Sequence, residues 1–287
     1  MNNYYDEIKN NTEFQVSDTV SIQYKKHGQG YDKLIEKYQL SSFSGEKDLD
    51  KALNLLAWVN THVKHKGNYD NSDRQDALTL LKISYDTECG VNCLSMSIIL
   101  CECLLALQIN ARVVYMMPES VCDGDSHVVV EAFISELNKW IMLDPTYGSY
   151  CLDSEKTILN LLEIRNCIAE NRDFYFSETM NYNGAKVDDM DDVKNYYTKN
   201  LFFLRCKRIQ GFGQHTEYGN ILEIAPKGFD VHEHMIENLL YRIDASGCLE
   251  IHAAWMEYEK QLENTYIDAY SIYETPILCA DSRSKDK

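Results

Sequence analysis

The sequence predicts an α+β fold, in which one buried helix packs on an antiparallel sheet and elaborations flank both ends. Residues 94–107 are apolar almost all round, with only Ser95, Ser97 and Glu102 clearly polar; a helix without a polar face belongs in a core. Over residues 111–143 the apolar period then shortens from 3.6 to 2, in three short runs parted by turn-forming residues, which is the pattern of a strand meander. Helix first and sheet after is an α+β order.

Residues 20–24 alternate and predict a strand, residues 32–38 have a helical pattern, and Ser44-Gly45-Glu46 marks a break. Residues 47–64 predict an amphipathic helix, because Leu49, Ala52, Leu53, Leu56 and Val59 recur at three- and four-residue spacing behind Asp48 and Asp50, acids suited to a helix start. A polar loop over 65–73 and a short helix over 75–82 lead to the turn Cys89-Gly90-Val91-Asn92-Cys93. Asn92 is a good N-cap, so Cys93 falls on the first turn of the buried helix, where free N–H groups and the helix dipole favour a thiolate. At about 14 residues that helix is too short to span a bilayer, which takes roughly 20.

Strands are expected over 111–116, 127–134 and 139–143, with a loop over 118–126 and a hairpin connection at Ser135-Glu136-Leu137-Asn138. Beyond them, Ser154 is expected to cap a helix running to Ala169. Residues 171–186 are irregular, aromatic and suited to covering a cleft. Asp189, Asp191 and Asp192 open a helix to about Lys199. Strands follow over 201–206 and 221–224, helices over 232–241 and 249–266, and a disordered charged tail from Asp281. There is no internal repeat and no Pro- or Gly/Ser-rich linker. One domain is therefore expected: an N-terminal elaboration over 1–47, a core over 48–150, a C-terminal extension packed on it over 151–280, and the tail 281–287.

Composition narrows the function. The 287 residues carry a net charge of −17, which argues against nucleic acid or an anionic membrane surface as the main partner, since both select clustered positive charge. The N-terminal residues lack the basic and apolar segments of a signal peptide, so a cytoplasmic protein is expected, its 10 cysteines carried as thiols. No Cys-x-x-Cys pair occurs, and Cys101 and Cys103 point to different sides of a helix, so neither a metal nor a cofactor is called for. His232 and His234 are two apart, wrong for one helical face, and read as surface residues. His215 and His252 carry no signal.

A thiol nucleophile needs a base, and the base an orienting group. Cys93 opens the buried helix, His127 begins the second strand of the meander and Asp144 ends the third. If those strands pair through the 135–138 turn, the start of one lies beside the end of the other, and strand parity sets His127 and Asp144 on one face of the sheet. Alone, Cys93 reads more readily as an inert core thiol; with His127 and Asp144 in register it reads as the nucleophile, ahead of Cys89, which precedes the turn. Arg112 and Glu131 read as structural, in a buried ion pair or in hydrogen bonds to loops, and Trp140 as core.

These residues resemble the transglutaminase-like superfamily, whose members share a papain-like Cys–His–Asp core. The likeness rests on Gly90-Val91-Asn92-Cys93 with Ser97 four residues on, on Ala111-Arg112-Val113, on His127-Val128-Val129-Val130-Glu131, and on Trp140-Ile141-Met142-Leu143-Asp144-Pro145-Thr146; the helix holding Trp58-Val59 resembles the one preceding the core. The chain departs from the pattern by one extra residue between Gly90 and Cys93, by Gln108 where Gly usually ends the helix, by Asn110 where Pro is common, and by Val128-Val129 in place of Ala-Trp. The resemblance implies Cys93, His127 and Asp144 as catalytic residues and acyl transfer through a thioester on amide bonds of a peptide or protein. Water as acceptor makes a peptidase or amidase, an amine acceptor makes a protein-glutamine transamidase, and a binding module that keeps the fold without activity is the reading from another class. Hydrolysis is expected, because water is always present. The backbone N–H of Cys93 is expected to stabilise the oxyanion, and no second, side-chain donor is identifiable from sequence.

Overall fold

The computed structural model describes residues 4–16, 20–43, 47–86, 89–216, 221–246, 259 and 265–276. The break at 44–46, His252 and the tail from 281 lie outside the described residues, as does most of the helix expected over 249–266.

Helices α1 (Tyr4–Asn10), α2 (Gln29–Tyr38), α3 (Asp48–His62), α4 (Ala77–Asp86) and α5 (Cys93–Ala106) precede the main strands. Strands β2 (Ala111–Met117), β3 (His127–Ile134) and β4 (Lys139–Leu143) form the expected antiparallel meander, in register Arg112↔Glu131 and Glu131↔Met142. Further strands from the later half extend the same sheet: β9 (Phe203–Lys207) pairs antiparallel with β2, β11 (Ile221–Ile224) antiparallel with β9, and β12 (Thr265–Tyr266) parallel with β11, giving the order β12-β11-β9-β2-β3-β4. Thr265 and Tyr266, expected at the end of a helix, are therefore strand. The two-residue strand β1 (Gln23–Tyr24) pairs parallel with β10 (Ile209–Gln210), β5 (Cys151–Leu152) pairs with β6 (Tyr175–Phe176), and β7 (Asn181–Tyr182) turns back on β8 (Ala185–Lys186).

Helices cover both faces of the sheet. Val113, Val128, Val130 and Leu143 face α5, α4, α3 and α2. Val114, Met116, Val129 and Met142 face Ile8 of α1, helix α6 (Leu161–Ala169) and helix α7 (Met190–Asn200). A sheet covered on both sides has no solvent face, which is why β3 is apolar at nearly every position. On the second of these faces lies a buried ion pair: Arg112 donates from Nε at 3.0 Å and Nη2 at 2.8 Å to Glu131, whose other oxygen accepts from Leu161 N and Tyr273 Oη at 2.9 Å each. Trp140 is core as expected, its ring stacked against the Arg112 guanidinium.

Local chemistry moves several boundaries. The helix expected from Ser154 starts only at Leu161: Asp153 closes a separate turn by accepting from Glu155 N and Thr157 N, while Asn160 and Glu163 form a reciprocal capping box. Helix α4 begins two residues later than expected because Asp76 accepts from Thr79 N and caps it. Only Gln23 and Tyr24 of the strand expected over 20–24 are paired. His234, expected on the surface, is 5% exposed on α8 (Val231–Ser246), against the rings of Phe203 and Phe229. Burial, and behind it the charge of Arg205, pulls its pKa down to about 4.

Candidate active site

Cys93 is the first residue of α5, held by the turn before it. Asn92 caps the helix, its Oδ1 accepting from Ser95 N at 3.0 Å, while its Nδ2 donates to Tyr69 O and Asn71 Oδ1. Val91 pairs with His65 as a short parallel bridge, with Lys66 N bonded to Val91 O and Val91 N to Lys64 O. Gly90 permits this approach, because a Cβ there would stand 2.6 Å from Lys66 Cβ. From inside, Ser97 Oγ donates to Val128 O at 2.9 Å and ties α5 to β3. The first N–H groups of α5, those of Cys93 and Leu94, have no partner within the helix.

His127 opens β3 opposite Met116, and Asp144 follows β4. Their side chains meet at 2.6 Å, His127 Nε2 to Asp144 Oδ2, both fully enclosed. Asp144 is fixed from several sides: its Oδ1 accepts from Thr146 N at 2.8 Å and Tyr147 N at 3.3 Å, and its backbone exchanges two bonds with Ser149. Asn60 of α3 donates to Pro145 O and Thr146 O. Gly148 has φ +57°, and a Cβ on it would run into Asn60, so α3 and this turn fit only with glycine there. Oδ2 also accepts from the hydroxyl of Tyr197 on α7.

The half-buried Cys93 thiol is coupled to two imidazoles, His127 and His65, both of which favour its thiolate. Burial pushes the thiol up, but the two imidazoles outweigh it and bring it down to about 7. For His127, burial pulls the imidazolium down, while the Asp144 carboxylate and the thiol prevail and raise it to about 10. Asp144 stays low despite burial, through His127 and the Tyr197 hydroxyl. Near neutrality the arrangement therefore holds a substantial fraction of thiolate beside a charged imidazolium, the ion pair that makes a cysteine nucleophilic.

Thus the structure brings together all three residues expected from sequence. It leaves Cys89 exposed ahead of the turn. Sequence reasoning missed His65, Tyr182 and Tyr197. The aromatic segment 171–186 expected over a cleft does reach the site: Tyr182 lies 5.4 Å from the His65 ring and 5.7 Å from Tyr147, which packs in turn on His127. Among the described residues no cluster of three metal-ligating side chains occurs, and no helix is long and apolar enough to cross a membrane.

Residues 40–145 match the model of the Transglutaminase-like superfamily. Among solved structures, a candidate cysteine protease from Cytophaga hutchinsonii is similar at 17% identity over 52% of this chain and 49% of that one, with a TM-score of 0.31. The chain thus spans about half the length of the solved structure it matches. No curated protein matches it.

Proposed function

We propose, from the match of residues 40–145 to the transglutaminase-like superfamily, that this protein is a cysteine-dependent acyl-transfer enzyme acting on amide bonds of peptides or proteins, and a hydrolase. One observation carries the reading: the Cys93 thiol is coupled to an imidazole whose Nε2 is bonded at 2.6 Å to a buried carboxylate.

In this mechanism the Cys93 thiolate adds to the amide carbonyl, and the C=O π pair moves onto oxygen. The unpaired N–H groups at the start of α5 receive the oxyanion. Collapse breaks the C–N bond as His127 gives its proton to the departing amine, leaving a thioester on Cys93. His127, now neutral, takes a proton from water as the hydroxyl adds to the thioester, and the acid leaves with the thiolate restored. Asp144 accepts from the imidazole throughout and holds its tautomer. An amine in place of water makes the same site a transamidase.

Iodoacetamide labelling tests the nucleophile. Cys93 is expected to react faster than the exposed Cys89 and Cys122 at pH 7, and His127→Ala to abolish that advantage. Equal reactivity of the three thiols would refute the reading. A peptide-amide library with and without an added primary amine then separates hydrolysis from transamidation by the mass of the acyl product.

A further inference from the structure

The thiol has a second imidazole at hand. His65 is bridged to Val91 in the turn that carries Cys93, and its ring lies 5.4 Å from that of Tyr182, which packs on Tyr147 and through it on His127; its place is built rather than incidental. Its backbone is clamped by Asn183, whose Oδ1 accepts from His65 N at 2.7 Å and whose Nδ2 donates to His65 O at 3.1 Å. Its bridge to Val91 fixes it two residues from the nucleophile. Its Nδ1 is bonded to the Tyr182 hydroxyl at 2.8 Å, which leaves Nε2 for the sulfur. With the Tyr182 hydroxyl taken as donor to Nδ1, the proton of a neutral ring sits on Nε2, and that tautomer gives the site an N–H donor. Unlike His127, His65 is paired with a neutral group.

We infer that His65 is a second oxyanion donor of this site, set in its tautomer by Tyr182 on the β7–β8 hairpin, a segment beyond the matched core. The inference rests on the proposed acyl-transfer reading. Before attack the negative charge sits on sulfur, where Nε2–H meets it. As the S–C bond forms, the carbonyl π pair moves to oxygen, two bonds from the sulfur, and the donor that held the thiolate passes to the oxyanion. With the N–H groups of the helix start on one side and His65 on the other, the oxygen gains donors from two elements, as electrostatic preorganisation requires.

Two reactions of Cys93 separate this role from simple stabilisation of the thiolate. Iodoacetamide alkylation forms S–C and expels iodide without any oxyanion. Acylation by p-nitrophenyl acetate passes through an oxyanion and expels p-nitrophenolate, which needs no proton, so His127 drops out as an acid. Limiting rates of both are measured on the full chain above the thiol midpoint, with Cys93→Ala as the blank. In His65→Ala the acylation rate is expected to fall about 100-fold, while the limiting alkylation rate stays within about twofold. His65→Gln, which keeps an N–H donor, should recover part of the loss. Tyr182→Phe should lower acylation by about tenfold; Tyr182 is 39% exposed, so that change leaves the core intact. If both rates fall together, or acylation is unchanged, the inference is overturned. If the wild-type chain is not acylated at Cys93 at all, the acyl-transfer reading itself has failed, and that outcome is seen before any His65 variant is made.

Discussion

Tyr197 donates its hydroxyl to Oδ2 of Asp144, the same oxygen that holds His127. The carboxylate thus meets β3 and α7 through one atom, with the backbone of its own turn on the other. A buried anion needs such partners to remain charged. Tyr197→Phe keeps the ring and removes one donor to a charge, which is worth about 1.5–3 kcal/mol. Denaturant unfolding should show that loss. Acylation of Cys93 should fall less than in Asp144→Ala, because His127 keeps its partner; an equal fall would make the tyrosine as necessary as the carboxylate.

The pH dependence follows from the two shifted groups. Cys93 must lose its proton, near pH 7, and His127 must keep its own, up to about pH 10. Amide cleavage should rise through neutrality and decline toward pH 10, a bell with a broad alkaline shoulder. An ester with a leaving group as weakly basic as p-nitrophenolate needs no proton donor and should show the rise without the decline. In His127→Ala only His65 is left to oppose burial of the thiol, so the alkylation midpoint should move upward. A midpoint unchanged in that variant would remove the ion pair from the mechanism.

How much of the site was legible depended on the distance over which a regular pattern reached. Cys93 was readable because a buried helix and its Asn92 cap are local. His127 and Asp144 were readable because hairpin register converts sequence spacing into proximity. Tyr197 and His65 obey no such rule: one arrives from α7, 53 residues beyond Asp144, and the other is held by a hairpin 117 residues beyond it. Strands β9, β11 and β12 are short and separated by helices and loops, so nothing local announced that they would join the meander edge. His234 failed as a surface residue because spacing excludes a shared ligand face but says nothing of burial. The false start at Ser154 came from Asp153, whose turn imitates a helix cap until Asn160 and Glu163 are seen together.

Gln108, which stands where the related pattern has glycine, adopts φ +68° just beyond α5. Left-handed backbone costs a side chain about 1 kcal/mol, partly offset here by the exposed bond that Gln108 Nε2 donates to Lys26 O. Gln108→Gly should therefore stabilise the chain by roughly 0.5 kcal/mol after the extra entropy of glycine in the unfolded chain. A small rise in Tm, with the Cys93 alkylation midpoint unchanged, is the expected result. A fall in Tm would mean that the side-chain bond to Lys26 O outweighs the backbone strain.

Gly90 gives the opposite case. It lies where the chain passes Lys66, and a Cβ would meet Lys66 Cβ at 2.6 Å and Lys64 O at 3.2 Å, both next to the bridge that holds His65 against Val91. The Lys66 side chain cannot swing its own Cβ away, so Gly90→Ala must push the two segments apart. Overpacking of this kind costs about 1–3 kcal/mol. The displacement falls three residues from the nucleophile and on the segment that carries His65, so function should suffer more than stability. Acylation of Cys93 should drop by at least tenfold under conditions where the variant is still fully folded by circular dichroism, because a small misplacement of reacting groups is costly. Wild-type acylation in a folded Gly90→Ala chain would show that the approach of residues 64–66 to the turn is dispensable for the chemistry.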